Sequence, residues 1–520
     1  MTDTLHFLFP VFHQSYSNVK KRRKALPKTT EKQEKNDSPK SLILAALLLG
    51  CIWTAFINPW IQYQYWQSDT FWLIETGRLI LQTHSLPLHD TYSYTASSTY
   101  WLLYQWLPEV IFAVMDRIGG LAGLAVFGGV LFAILFCVLI FRHMVRREIN
   151  PILAAAIIIF CAYSFYPAFS SLRPQLFSFI FFWLIVVICD NIRSGLSLRK
   201  ALISTFFIAF IWANCHISFL AALLVIAGYL IGSLHLLRPR SSEKKIPLSF
   251  LAMYATFVFG TLFTPYVGYL WAFVGDVHNR FYTQEVAELD WGAEPHRLAV
   301  AIIAVLSAFY LFWRKKIYAG SIIVLLALLF VASNCSRLFA YFCLFSCPII
   351  GNAANELIQP YLKNEVFNRF GHSFKTITLT KYYPAAIALL ASIVVLAQPV
   401  VLQPNVPVLA ARYLADHPVK GHLFSTAHAG SYLIYSSHGT IPVFMDTRVD
   451  LYDPDFCFRF IKVLYSAENW KGMFDQFKIA AALLPNDVHI KLNEVLAAEP
   501  DWKVEYHDKD FTLFVKKSAP

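Results

Sequence analysis

Between Ser41 and Val400 the chain is a succession of apolar runs, and this feature limits the fold more than any other. The first runs from Ser41 to Asn58-Pro59. Others follow at about 119–141, 150–168, 174–190, 199–214, 217–237, 247–264, 297–313, 317–332, 338–350 and 383–400. An untilted helix needs roughly 20 residues to cross a bilayer, so the shorter runs fix span boundaries only to within a few residues. The composition, 57% hydrophobic and 15% charged, is far from the roughly one-quarter charged typical of soluble domains. A polytopic α-helical membrane protein of about eleven spans is the expected fold class.

Charge then sets the topology. Residues 1–40 carry KKRRK at 20–24 and read as a disordered basic cytoplasmic tail. The first apolar run follows too late for a cleavable signal and reads as a retained span. With the N-terminus inside, 26 of the 44 Lys and Arg fall in the tail and inner loops, 6 in outer loops and 12 beyond residue 400. The stretch 104–118, YQWLPEVIFAVMDRI, has a short apolar core and is laid flat at the interface. Making it a span would put RHMVRRE and WRKK outside, against the positive-inside bias. The +11 net charge is thus mostly a topology signal, and no nucleic acid is expected as a partner.

An odd number of spans places 401–520 on the outer face. That segment alternates strand and helix signals and reads as a small α/β domain. VPVLAARYLADH is helical, HLFS a strand and AGSYLIYSS a helix. IPVFMD (441–446) is a buried strand before the turn TRVDLYDPD. Helices near 457–477, strand IAAALLP, helix HIKLNEVLAAEP and a hairpin WKVEYH-DKD-FTLFVKK complete it. The expected organisation is therefore a tail (1–40), a transmembrane domain (41–400) whose first outer loop is 61–118, and a periplasmic domain (401–520).

The first outer loop carries the chemistry. Asp69 follows the aromatic end of span one and precedes FWLIETGRLILQ, an expected interfacial helix with Glu75, Arg78 and Gln82 on one face. Asp69 suits a general base at the membrane surface; capping that helix, a task open also to Ser68, explains it otherwise. Asp90, in PLHDTYSYT, is a second acid or an Asx-turn. Glu109 belongs to the polar face of the flat helix. Arg173 and Arg337 stand at outer span ends, where a cation is costly unless it anchors the span or binds an anion. Asn214 and His216 cap spans five and six, and a hydrogen-bonded structural histidine is the plainer reading of the latter. Asp446, Arg448 and Asp450 follow a buried strand, suiting either a binding loop or a salt-bridged turn. No cofactor is required by the sequence. The loop 274–296, with Asp276, His278, Glu285, Glu288 and Asp290, offers oxygen ligands to a divalent cation, and a solvated acidic loop explains it as well. The nine cysteines have no metal-ligand spacing.

Several motifs occur in order: D-x-F-W-x-x-x-x-G-x-x-I (69–80), L-P-x-x-D-x-Y-S-Y-T ending at Thr95, QWLPEV, SLRPQLFSF (171–179), WANCHISF (212–219), TPYVGYL (264–270), SNCSRLFAYF (333–342) and AGSYLIY…IPVFMDTRVDLY (429–452). Together they resemble a bacterial family of GT-C membrane glycosyltransferases over nearly the whole chain. The resemblance implies transfer of a sugar from a polyprenyl-phosphate donor at the outer face of the inner membrane. It implies an Asp of the first outer loop as catalytic base, by position Asp69, with Asp90 as a second acid. The chain departs from the family pattern in having Tyr104-Gln105 before the flat helix and Ile217-Ser218 after the WAN-x-H run.

The expected function is a membrane glycosyltransferase acting on a glycan, lipid or protein acceptor, inverting at the anomeric carbon. Asp69 would be its base, with Arg78, Glu109, Arg173, Asn214, His216 and Arg337 contacting substrate. The rival is a transporter or flippase of a lipid-linked glycan. That rival predicts repeated halves and ionisable residues at mid-membrane depth, whereas the acids here gather at one interface.

Overall fold

The computed structural model describes residues 39–60, 68–237, 245–273, 290–358, 365–402 and 405–517. The basic tail up to residue 38, the aromatic stretch 61–67 and the acidic loop 274–289 lie outside the described residues.

The apolar runs fold as helices because hydrocarbon forces every backbone donor and acceptor to pair within the segment. They are α1 (Pro39–Ile57), α3 (Trp106–Ala133, continued by a π turn to Arg146), α4 (Pro151–Tyr163), α5 (Gln175–Arg193), α6 (Leu198–Ala213), α7 (Leu220–Ser233), α8 (Lys245–Thr261), α9 (Pro295–Trp313), α10 (Ala319–Asn334), α11 (Phe339–Ile358) and α13 (Tyr383–Leu396). Between them lie α2 (Asp69–Thr83), and α12 (Glu365–Leu379) in what the sequence reads as an inner loop. Local chemistry fixes several ends. At α4, for instance, Asn150 Oδ1 accepts from the N–H groups of Ile152 and Leu153, with Pro151 in the first turn.

Among the described residues five helices are long and apolar enough to cross a bilayer, or six if the bent pair 370–379 and 383–396 is one span. Four shorter apolar helices accompany them, so helix length alone supports fewer crossings than the eleven apolar runs. Phe309, Phe312 and Phe330 are 63%, 61% and 72% exposed. Large apolar side chains turned outward along helices suit a lipid surrounding.

Helix α3 is divided where the sequence separates a flat segment from a span. Gly119 and Gly120 leave helical geometry, Gly120 at φ 60°, a conformation that glycine adopts without penalty.

Helix α2 differs from expectation. Residues Thr70 to Gly77 are all buried, because Glu75 and Arg78 of its polar face pack on protein while Gln82 stays exposed. Arg78 bonds Glu75 at 2.8 Å and Asp116 of α3 at 2.5 Å. Its guanidinium also lies 4.8 Å from the Tyr435 ring centre. Gly77 allows the close approach of α3, since a Cβ there would fall on the Glu109 backbone carbonyl.

The C-terminal domain is a four-stranded sheet in the order β1-β2-β4-β3, with β1 (His422–Ser425), β2 (Ile479–Pro485), β3 (Trp502–His507) and β4 (Phe511–Lys516). β1 and β2 are parallel, and β2–β4 and β3–β4 antiparallel. Helices α14 (Val408–Asp416), α15 (Ala427–Ser436), α16 (Pro454–Ser466), α17 (Trp470–Gln476) and α18 (Lys491–Ala498) surround it. The expected strand at 441–446 is corrected. Its backbone pairs with the first loop: Val443 N–H donates to Tyr92 O at 3.0 Å, and Tyr94 N–H to Val443 O at 3.2 Å. The loop thus takes hydrogen bonds that a sheet partner would otherwise supply. The helices expected near 457–477 are α16 and α17, separated where Ala467 and Asn469 take positive φ.

Candidate active site

Thr70, one residue into α2, donates from Oγ1 to Leu172 O at 2.6 Å. This ties the start of α2 to the turn before α5 and sets the next side chain, Arg173, beside Asp69. Arg173 Nη2 lies 2.7 Å from Asp69 Oδ2. Asp69 occupies the first helical position, and the cap position belongs to Ser68. Ser68 makes no side-chain cap bond, and its hydroxyl lies 2.7 Å from His428 Nδ1. The capping explanation of Asp69 is therefore not the one realised.

Asp69 and Arg173 stand on the wall of a cavity of about 1350 Å³. Tyr104, Gln105, His216 and Arg337 line it from the helical domain; Thr426, His428, Thr447, Arg448 and Asp450 line it from the C-terminal domain. Farther along, Ile461, Leu464 and Tyr465 of α16 give an apolar wall, followed by Asn486, Asp487 and Lys509.

His216 accepts the Ser218 N–H at its Nδ1 (3.1 Å). A backbone N–H only donates, so the neutral ring carries its proton on Nε2. Burial and the nearby Arg173 and Arg337 push its pKa down to about 3, so at neutral pH it is an uncharged donor.

Asp90 does not line the cavity. Its side chain is fully buried, 2.7 Å from Arg448 Nη2. It accepts from the N–H groups of Tyr92 (3.1 Å) and Ser93 (2.9 Å) and from the Ser93 hydroxyl. The Asx-turn is thus present, with an ion pair added. Arg448 also makes a two-pronged contact with Asp446, Nε to Oδ1 at 2.9 Å and Nη2 to Oδ2 at 2.5 Å. Rings of Trp101, Tyr92 and Trp72 surround the guanidinium, with centres 4.5, 5.1 and 5.8 Å away. Burial alone would raise the Asp90 pKa, but Arg448 and the hydrogen bonds from Ser93 and Tyr92 bring it below the usual carboxylate value.

Other sequence candidates are engaged elsewhere. Asn214 accepts from Trp106 Nε1 at 2.9 Å and donates to Phe210 O and Phe263 O at 2.8 and 2.9 Å. Its amide holds α3 to α6 and leaves the cavity to His216. Arg78 faces Glu75 and Asp116 away from the cavity, and Glu109 is completely buried instead of lying on a polar face. The Asp450 carboxyl titrates within reach of neutral pH. Burial raises its pKa, Arg448 lowers it, and Asp446 and Asp69 raise it again, to about 6.

His428 and Thr447 escaped the sequence reading. His428 precedes a quoted motif and Thr447 falls inside it, but only the folded C-terminal domain sets both on the cavity wall. Among the described residues no three His, Cys, Asp or Glu side chains converge as metal ligands. Of the acidic loop, Asp290 is described, and it closes a turn by accepting from Gly292 and Ala293 N–H groups.

No protein-family model matches the chain, and no curated protein matches it in sequence. Solved structures do match in fold. ArnT from Cupriavidus metallidurans in the apo state superposes with a TM-score of 0.50 at 12% identity, over 91% of this chain and 96% of that one. The same protein bound to undecaprenyl phosphate gives 0.49 at 11% identity, over 91% and 97%. The architecture assembled here from apolar runs, first loop and C-terminal sheet thus shares its fold with ArnT.

Proposed function

We propose that this chain is an inverting membrane glycosyltransferase that moves a sugar from a polyprenyl-phosphate donor to an acceptor hydroxyl. The observation that carries the reading is the Asp69–Arg173 pair at 2.7 Å, on a cavity wall shared with Arg337 and neutral His216. Arg173 and Arg337 receive the donor phosphate, for which charge-assisted hydrogen bonds are suited. A phosphate on Arg173 competes with Asp69 for the guanidinium and frees the carboxylate as a base. The acceptor hydroxyl gives its proton to Asp69 as its oxygen bonds the anomeric carbon. The bond from that carbon to the phosphate oxygen breaks on the opposite face, and polyprenyl phosphate leaves with the bonding electrons. The His216 Nε2–H supplies a neutral donor to sugar or phosphate oxygen.

A cavity of about 1350 Å³ exceeds the roughly 300–1,000 Å³ of ordinary small-molecule sites, giving room for both a sugar phosphate and an acceptor. In this reading the chain is a bacterial inner-membrane protein of eleven spans with a cytoplasmic N-terminus. The site and the C-terminal domain face the periplasm, and the latter takes part in holding the acceptor. Undecaprenyl phosphate, which is bound in one ArnT structure, is the natural probe. Purified protein should bind it, and Arg173→Gln with Arg337→Gln should abolish binding. Surface glycans of a deletion strain, compared by mass spectrometry, should lack one sugar that wild-type protein restores and Asp69→Asn does not. Full restoration by Asp69→Asn would remove Asp69 as base.

A further inference from the structure

Among the aspartates on the cavity wall, Asp69 and Asp450 differ in electrostatic situation from each other, and Asp487 and Asp510 stand farther along the chain. Asp69 comes from the helical domain and is matched by Arg173. Asp450 comes from the C-terminal domain, on the single turn Val449–Leu451. The cation nearest to it in sequence, Arg448, is engaged by Asp446 and Asp90. The turn itself is firmly built. Leu451 N–H donates to Arg448 O at 3.0 Å, and the Tyr452 hydroxyl bonds the Asp446 carboxylate at 3.1 Å. Buried side chains at Arg448, Leu451 and Tyr452 pin the backbone on both sides, so Asp450 is held against the cavity by a rigid frame.

We propose that Asp450 is the acceptor-binding carboxyl of this site, accepting a hydrogen bond from a second hydroxyl of a neutral, polyhydroxylated acceptor while Asp69 activates the first. The inference rests on the transferase reading above. A carboxylate on a cavity wall repels phosphate and carboxylate groups and accepts from hydroxyls. It therefore suits a carbohydrate, while Arg173 and Arg337 on the same cavity suit the donor phosphate. The charged and titratable groups that act on Asp450 are Arg448 and Asp446 on its own loop and Asp69 at the start of α2. Asp450 in turn bears on Tyr104 and on Glu109 of α3. Their balance leaves Asp450 to ionise near pH 6, and its charged, acceptor-only form is lost below that pH.

The test uses full-length protein in detergent with two probes. One is undecaprenyl phosphate; the other is transfer from the host's extracted polyprenyl-linked sugar fraction into its surface-glycan fraction. Asp450→Asn should bind undecaprenyl phosphate within about twofold of wild type. It should transfer roughly ten- to a hundredfold more slowly at limiting acceptor, the loss of one hydrogen bond to a charged acceptor. High acceptor concentration should recover much of this loss, and Asp450→Glu part of it. The fall in wild-type transfer below about pH 6 should disappear in Asp450→Asn. Unchanged transfer with that acid limb retained would overturn the inference alone. Loss of undecaprenyl phosphate binding by Asp450→Asn would overturn it by placing the residue on the donor side. Wild-type protein that transfers nothing would overturn both the transferase reading and this one.

Discussion

Asp90 and Arg448, separated by most of the chain, meet at 2.7 Å with side chains no more than 1% exposed. This contact joins the first loop to the C-terminal domain. It works with the Tyr92–Val443 backbone pairing to hold the loop on that domain. Asp446 on the same guanidinium gives a buried triad of two carboxylates and one cation. Such a group stabilises a particular docking more than it stabilises folding as a whole.

Removing the cation should therefore be severe. Arg448→Met leaves two buried carboxylates unmatched and should cost about 3–5 kcal/mol, read as a large drop in thermal unfolding temperature in detergent. Arg448→Lys keeps the charge, loses the fork on Asp446 and should recover only part. The Asp90 pKa is depressed, so its contribution is present above pH 3.8 and is lost as pH falls through the lower folded value. An Arg448→Met protein as stable as wild type would mean that the triad does not hold the two parts together.

The sequence carries the helical architecture in its apolar runs, because a hydrocarbon environment leaves the backbone no alternative to the helix. It also shows the division of α3, since a short apolar core with Glu109 and Asp116 reads differently from the span after Gly120. The partners of individual charges are less legible. Periodicity puts Glu75 and Arg78 on one face of α2, but whether water or protein covers that face depends on α15, from a segment over 300 residues later. Asp69, Asp90 and Asp450 look alike as acids in loops. Only the fold gives Asp69 a cavity and an arginine, Asp90 a buried clamp, and Asp450 a cavity without the clamp. The segment 441–446 has the pattern of a strand, and its true partner is a loop at the other end of the chain.

Asp69 and Arg173 should be energetically coupled in the resting protein and less so once donor phosphate arrives. Asp69→Asn should slow transfer by about 10²–10⁴, the usual loss for a general base, while tightening undecaprenyl phosphate binding by freeing Arg173. Arg173→Gln should weaken that binding. Calorimetry on both single variants and the double variant gives the coupling. Additive effects on undecaprenyl phosphate binding would show that the phosphate does not compete for Arg173.

The glycine of the D-x-F-W-x-x-x-x-G motif should resist the smallest substitution. In Gly77→Ala the new methyl group meets the Glu109 backbone carbonyl and comes within 2.9 Å of the Ala113 side chain. Helix α2 must then move off α3, at a cost of about 1–3 kcal/mol. The start of α2 carries Asp69, so transfer should fall together with stability. Gly50 offers the control: a Cβ there meets nothing within 4 Å, and Gly50→Ala should behave as wild type in both measurements.

The remaining expectation concerns Asp450 and stability, with no substrate needed. Its pKa is raised from 3.8 to about 6, chiefly by burial. The folded protein therefore holds this proton more tightly than the unfolded chain does. Stability linked to the group is fully present below pH 3.8 and is lost as pH rises through about 6. Above that pH the folded cavity carries an ionised carboxylate that the unfolded chain would solvate better. Asp450→Asn stays neutral throughout, so its unfolding temperature should exceed that of wild type at pH 8 and approach it at pH 4. Asp90→Asn should show the reverse order at pH 8, since there the charge is matched by Arg448. Thermal melts of the two variants across this pH range separate a carboxyl kept for a ligand from one kept for the fold. If Asp450→Asn melts below wild type at pH 8, Asp450 belongs with Asp90 as a structural acid.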